Sequence, residues 1–234
     1  MKICLIPARG GSKRIPRKNI RSFCGKPMIA WSIAAAHASG CFDQILVSTD
    51  DEEIADVARV HGALVPFLRP AHLADDHADT KDVMAHVLGW IENQGVQCDA
   101  LCCLYATAPF VQAEDLQRSL RLLNDSRTET VVFAATSFPF PIQRAIHLDA
   151  DGYSTMFQPE CFGSRSQDLV EAYHDAGQFY WAAPQTWGKV TNLFEGMRPL
   201  ILPRWRVQDI DNEEDWTRAE LLHQLLMKQG LIHG

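Results

Sequence analysis

Four short apolar runs constrain the fold more than any other feature of this chain: Lys2 to Ile6, Gln44 to Ser48, Ala100 to Leu104 and Thr130 to Thr136. Each is bounded by turn residues, and the first three are followed, after a loop, by stretches with helical spacing. Those stretches are Pro27 to Ser39, Glu52 to His61, about Thr80 to Gln94, and Ala113 to Leu123. Strand and helix in alternation predict a three-layer α/β fold with a mainly parallel sheet and right-handed crossovers. Gln178 to Ala182 and Leu200 to Leu202 read as later strands, and Asp211-Asn212-Glu213-Glu214 opens a final helix to about Gln229. Ligands of such sheets lie beyond the carboxyl ends of the strands. The loops at 7–19, 48–51 and 105–110 are therefore where chemistry is expected.

The chain has 234 residues, enough for one domain with a buried core and no disulfide or metal staple. Its formal net charge of −7 argues against a nucleic-acid or membrane-surface binder. No run approaches the ~18 apolar residues of a spanning helix. The first residues are too short an apolar stretch for a signal peptide, so a cytoplasmic location is expected. The 7 cysteines, odd in number and without a Cys-x-x-Cys, suit reduced, buried thiols. Between Ser137 and Arg165 the pattern breaks: Phe138-Pro139-Phe140-Pro141 cannot continue a regular strand, and Asp149-Ala150-Asp151-Gly152 is a turn.

The first loop carries the charge. It reads Pro7-Ala8-Arg9-Gly10-Gly11-Ser12-Lys13-Arg14-Ile15-Pro16-Arg17-Lys18-Asn19. In an acidic protein, 8 of the 22 basic residues fall before residue 27, with no acid before Asp43. Glycines let backbone N–H groups approach phosphate oxygens, and the cations neutralise charge, so the loop is read as a polyphosphate cradle. The spacing is neither that of a P-loop NTPase nor that of a dinucleotide fingerprint. Near the other end, Asp209 and Asp211 flank Ile210, which on an extended segment puts both carboxylates on one side. Two hard oxygen donors suit Mg²⁺. Asp211 alone also reads as a helix N-cap with Glu214 as its box partner.

The segment Pro7 to Lys13, with Lys18-Asn19-Ile20 and Gly25-Lys26-Pro27, resembles the signature of the cytidylyltransferases that make CMP-sialic acids. The likeness continues through Val47 to Ala55, Arg69-Pro70 and Ala106-Thr107-Ala108-Pro109 to Asp209-Ile210-Asp211, in the family's order. Phe140 to Ala145, Met156 to Glu160, Arg165 to Asp168 and Glu171 to Trp181 look most like the pseudaminic acid branch. Tyr105 stands where the sialic acid enzymes usually have a sugar-contacting Gln, which favours a differently substituted nonulosonic acid.

The resemblance implies a Rossmann-like nucleotidyltransferase fold covering 1–234, with 137–165 as a dimerisation and substrate arm of a homodimer. It implies Mg²⁺-dependent transfer of CMP from CTP to the anomeric hydroxyl of the sugar acid. Arg9, Lys18, Asp209 and Asp211 are then the catalytic set, and Asp209 and Asp211 also the metal ligands. Ala8, Arg9, Gly10, Gly11, Ser12, Lys18, Asn19, Arg69, Ala78 and Thr80 match nucleotide-binding positions. Tyr105, Gln143, Arg144 and Gln178 are the sugar-side candidates. Plainer readings stay open: Arg14 or Arg17 as solvated charges, Arg69 as a surface charge, Thr80 as an N-cap, and Gln143 and Arg144 as interface contacts. The rival functions are a CMP-sialate, CMP-legionaminate or CMP-Kdo synthase and, outside enzymes, a nucleotide- or RNA-binding protein.

Overall fold

The apolar runs alternate in their side chains between two cores, and this sets the layers. In β1 (Lys2–Pro7), Cys4 and Ile6 face one cluster while Ile3 and Leu5 face the other. The computed structural model describes residues 1–74, 80–127 and 129–233. After β1 come two short pairing strands, β2 (Ser22–Phe23) and β3 (Lys26–Pro27), then α1 (Met28–Ser39) and β4 (Gln44–Ser48). There follow α2 (Glu52–Val60), α3 (Thr80–Asn93), β5 (Ala100–Leu104), α4 (Ala113–Asn124) and β6 (Val132–Ser137). A hairpin of β7 (Ile146–Leu148) and β8 (Ser154–Met156) precedes β9 (Tyr173–Ala182). The chain closes with α5 (Pro184–Trp187), β10 (Arg198–Ile201) and α6 (Glu213–Lys228).

The main sheet is six-stranded, in the order β10-β6-β9-β5-β1-β4. β1 pairs in parallel with β4 and β5, and β10 with β6, while β9 runs antiparallel to both its neighbours. The mainly parallel sheet expected from the sequence is therefore present, with one reversed strand at its centre that the apolar pattern did not reveal. Residues of α1, α2 and α4 pack in one core and those of α3 and α5 in the other, giving the three layers. From β1 the chain passes first to β4 on one side and later to β5 on the other. The carboxyl end of β1 is thus a switch point, where a crevice opens.

A third apolar cluster holds the basic loop in place. Ile15 from that loop, Phe23, Trp31 and Phe110 pack against Ile210 and the α6 residues Trp216, Ala219 and Leu226. Burial of Ile15 and Ile210 fixes two segments far apart in sequence, and it sets their neighbours Arg14 and Asp211 at the crevice. The vicinal Cys102 and Cys103 lie on opposite faces of β5, as alternation requires, and burial pushes both thiols up from their ordinary range. All 7 cysteines are free thiols.

α6 opens within Asp211-Asn212-Glu213-Glu214, as the sequence suggested. Asn212, not Asp211, is the N-cap, accepting from the Asp215 N–H at 2.9 Å, and Asp215 returns a bond to the Asn212 N–H at 3.2 Å. The capping box is Asn212–Asp215, so Asp211 lies outside the helix.

His223 of α6 is buried among Trp31, Phe23 and Phe110, at ring distances of 4.3, 5.3 and 5.6 Å. Burial lowers it from 6.5 to about 4, so it is neutral in the folded protein near pH 7. An unfolded chain takes up that proton below the ordinary value, so this stabilisation is full above pH 6.5 and is lost as pH falls toward about 4. The loss is on the order of 3 kcal/mol. Denaturant melts from pH 7 to pH 4 should show a shallower acid loss for His223→Leu than for the parent, by about that amount.

Candidate active site

The loops after β1, β4 and β5 meet where the switch point predicts. The Ala8 N–H donates to the Ser48 carbonyl at 2.9 Å, and the Gly10 N–H donates to Asp50 Oδ1 at 2.9 Å. Gly10 is required by contact: a Cβ there would lie 2.8 Å from Asp51 Oδ2 and 3.1 Å from Asp51 Cβ. Gly11 has open space around it. Of the two glycines, Gly10 commits its N–H to Asp50, whereas a side chain at Gly11 would meet nothing.

Between these loops is a cleft of about 610 Å³, a size ordinary for a small-molecule site. One set of lining residues is charged or strongly polar: Arg9, Ser12, Lys13, Arg14, Lys18 and Asp211. Another is neutral apart from Arg69: Thr80, Val83, Tyr105, Ala106 and Thr107. Asn19, also lining the cleft, is buried and ties its amide to the Arg9 carbonyl at 2.9 Å, which fixes the loop's curl.

Charge is distributed unevenly along the loop. Lys18 Nζ donates to the Ile210 carbonyl at 2.6 Å and lies 3.8 Å from Asp211, and burial lowers its basicity below the ordinary lysine range. Arg14 sits 2.8 Å from the same Asp211 carboxylate. Arg17, with φ of 56°, turns away and binds Asp51 and Glu53, so it braces the neighbouring loop and does not line the cleft. That bond holds the Asp51 carboxyl below the usual carboxylate range, and Asp51 in turn caps α2 through the Ile54 N–H at 3.0 Å.

Asp209 and Asp211 emerge on either side of buried Ile210. Asp209 does not line the cleft, but it is close enough to Lys18 and Asp211 to feel both: desolvation first, and then the Asp211 charge, push its carboxyl up. Among the described residues no group of three or more His, Cys, Asp or Glu could form a closed metal cage. Mg²⁺ binds through one or two carboxylates and completes its shell with phosphate oxygens and water. Two carboxylates beside a cationic loop fit that chemistry.

The segment carrying these carboxylates is tethered from behind. Arg206, buried, grips Asp115 of α4 in a two-point pair at 2.5 and 3.0 Å. The sequence singled out neither residue, because the pair joins positions 91 apart.

Arg69 is buried, not a surface charge. It donates from Nε to Ser48 Oγ at 3.1 Å, from Nη1 to the Leu73 carbonyl at 3.2 Å, and also to the Ser48 carbonyl. Thr80, the first residue of α3, puts its hydroxyl 3.3 Å from that of Tyr105. Ala78 lies outside the described residues. Gln143, Arg144 and Gln178 do not line this cleft. Gln143 donates to the Val170 carbonyl at 2.9 Å and Arg144 to that of Ser164, both within the segment that leaves the sheet. Gln178 is buried behind Tyr105, donating to the Arg206 carbonyl at 2.7 Å.

A family model described as cytidylyltransferase matches residues 3–176, which takes in the loops after β1, β4 and β5 and the hairpin. The chain belongs to the cytidylyltransferase family. As such it is a nucleotidyltransferase. A pseudaminic acid cytidylyltransferase of Campylobacter jejuni subsp. jejuni serotype O:2 is 43% identical, over 95% of this chain and 96% of its own. A CMP-N,N'-diacetyllegionaminic acid synthase of Legionella pneumophila subsp. pneumophila is 34% identical over 95% and 96%. A solved CMP:2-keto-3-deoxy-manno-octonic acid synthetase complexed with CTP superposes with a TM-score of 0.68 at 16% identity, covering 97% of this chain and 99% of its own, and so shares the fold.

Two substitutions test the scaffold of this cytidylyltransferase site. Gly10→Ala should displace the Asp51 cap and weaken CTP binding about 10-fold, a loss of order 1.4 kcal/mol, read by calorimetric titration. Asp115→Asn leaves the Arg206 guanidinium buried without its counter-charge and should cost roughly 3 kcal/mol of stability, read by denaturant unfolding.

Proposed function

We propose that this cytidylyltransferase transfers CMP from CTP to the anomeric hydroxyl of a nine-carbon 2-keto sugar acid, pseudaminic acid, and releases pyrophosphate. The observation that carries the choice of sugar is the similarity to the Campylobacter enzyme along nearly the whole chain, which includes the irregular segment after β6 as well as the nucleotide loops. A cleft with a cationic wall and a hydroxyl-bearing wall that is neutral apart from Arg69 suits a triphosphate beside a nucleoside and the hydroxyls of a sugar acid. CMP-legionaminate, CMP-sialate and CMP-Kdo synthesis are the rivals within the family.

Phosphoryl-centred transfer needs alignment and charge neutralisation more than covalent help from the protein. Arg9, Lys13 and Lys18 meet the triphosphate, with Ser12 and the open backbone at Gly11 donating hydrogen bonds. Lys18, tied to the Ile210 carbonyl, also holds the loop against the Asp209–Asp211 segment. Asp209 and Asp211 would hold Mg²⁺, which supplies neutralisation of the triphosphate and Lewis-acid polarisation of its phosphoryl oxygens. Arg69 and Thr80 face the nucleoside, and Tyr105 the sugar acid.

The segment from Phe138 to Val170 leaves the sheet and exposes Phe140, Leu148, Tyr153, Phe157 and Phe162. Such a set of apolar side chains suits an isologous dimer in which Gln143 and Arg144 of one subunit approach the partner's cleft. No helix among the described residues is long and apolar enough to cross a membrane, and the free thiols support a reducing cytoplasm.

Pyrophosphate release with CTP and Mg²⁺ should be seen with pseudaminic acid and be at least ~10-fold slower with legionaminic or N-acetylneuraminic acid, as a mismatched polar contact requires. Turnover only with one of the other acids would keep the nucleotide half of the reading and overturn the sugar. Asp209→Asn should reduce turnover at limiting Mg²⁺ by ~100-fold or more while the unfolding midpoint holds; near-parental activity would move the metal elsewhere.

A further inference from the structure

The residues of the first loop that face the cleft stand between two that do not. At one end Gly10 donates its N–H to Asp50 Oδ1 at 2.9 Å, and it has no room for a side chain because Asp51 lies against it. At the other end Arg17 grips the same Asp51 in a two-point pair, Nη1 to Oδ2 and Nη2 to Oδ1 at 3.1 Å, and Nη2 also reaches Glu53. Between them Ser12, Lys13 and Arg14 line the cleft, whereas Gly10, Arg17, Asp50 and Asp51 are absent from its lining. Asp51 is fixed in turn, accepting the Ile54 N–H at 3.0 Å and donating its own N–H to Thr49 Oγ1 at 3.2 Å. One short acidic turn after β4 therefore holds both ends of the loop.

The backbone at Arg17 is a second sign of a task. Its φ of 56° lies in the left-handed region that favours glycine. The turn uses this conformation, since the Arg17 carbonyl accepts the N–H groups of Ile20 and Arg21 at 3.0 and 2.9 Å. Glycine would make the same turn with less strain, but it has no guanidinium. Ion pairs this exposed stabilise a fold little, so folding alone does not account for an arginine here. A two-point grip fixes direction. Direction is what a loop of like charges lacks: with one end released it would spread, and an incoming ligand would have to order it.

We propose that Arg17 and Asp51 are positioning residues that close the first loop on the triphosphate of the nucleotide. This rests on the reading above that Ser12, Lys13 and their neighbours meet that triphosphate. Neither residue touches the ligand; both act through the loop backbone between Gly10 and Arg17. The Asp51 charge gives this role a distinctive sign. As a bare field, a carboxylate beside the loop repels a polyanion, and its removal tightens binding. As a clamp, it aids binding, and its removal weakens binding.

Asp51→Asn removes the charge and keeps a good N-cap for α2. Arg17→Lys keeps the charge and loses the two-point grip. Calorimetric titration with CTP, and with cytidine as the ligand without phosphates, should show CTP affinity down ~10-fold in each variant and cytidine affinity within ~2-fold of the parent. The double variant should bind CTP no more weakly than either single one, because both substitutions break one link. Arg17→Gly should lose as much CTP affinity while its unfolding midpoint stays at or above that of Arg17→Ala, so that affinity follows the guanidinium and not stability. Asp51→Asn that binds CTP as tightly as the parent, or more tightly, overturns the proposal, as does a fall in cytidine affinity equal to that in CTP. If Asp51→Asn does not fold, Arg17→Lys decides in the same way, and parental CTP affinity there overturns the clamp. A parent protein that does not bind CTP overturns the reading of the loop, and the proposal with it; a parent that binds CTP while the variants match it overturns the proposal alone.

Discussion

Arg9, Lys13, Arg14, Arg17 and Lys18 fall within ten consecutive residues, and a loop so charged repels itself. Like charges a few ångströms apart oppose one another by about 1 kcal/mol even in water, and by more where water is thinned. The rest of the site depends on how that repulsion is relieved. Arg17 is withdrawn to Asp51 and Glu53, while Arg14 and Lys18 share Asp211, and Arg21, a few residues on, pairs with Glu213 at 2.6 Å. Ile15, fully buried in the middle of the loop, supplies the apolar anchor that none of these ion pairs, mostly half-exposed, could provide alone. The loop is therefore held by two acidic segments remote from it in sequence, and each of them also has a task of its own: Asp51 caps α2, and Asp211 faces the cleft.

The two walls of the cleft solve different problems. On the proposed reading a triphosphate needs charge, and the cationic wall offers it from a loop whose cations are already partly balanced. A nucleobase and the hydroxyls of a sugar need direction. On the neutral wall the donors and acceptors are hydroxyls, which can rotate, and a rotating hydroxyl discriminates poorly. Thr80 and Tyr105 restrain one another by lying 3.3 Å apart. The bulge in β9 places the half-buried Asp175 against the Tyr180 hydroxyl, and it costs β9 part of its pairing with β6.

Much of this was legible from the residues in order. The strands and helices show in their periodicity, because β1 and β5 alternate between two apolar cores and α2 and α4 present one apolar face each. The basic loop shows as a cation cluster with glycines, and the carboxylate pair shows as Asp-Ile-Asp around a residue that wants burial. Other features were hidden for physical reasons. An apolar run has no arrow, so nothing in Gln178 to Ala182 says that β9 enters the sheet reversed. Asp211 and Asn212 are both good caps, and the choice between them falls to wherever the backbone turns into α6. Gly10 and Gly11 look equivalent, but the Asp51 side chain sits against only one of them.

The sequence by itself determined the strands and helices of the α/β layers, the cation cluster of the first loop and the pair of carboxylates, since these follow from residue type and from spacing along one chain. Tertiary structure alone decided which cation faces the cleft and which braces a neighbour, that Arg69 is buried, that Arg206 and Asp115 hold the carboxylate segment from behind, that Asp175 meets Tyr180 and that Thr80 meets Tyr105. Ion pairs and hydrogen bonds such as these form at short range in space between residues tens to nearly two hundred positions apart. Their partners are chosen by how the elements pack and not by anything written beside them in the chain.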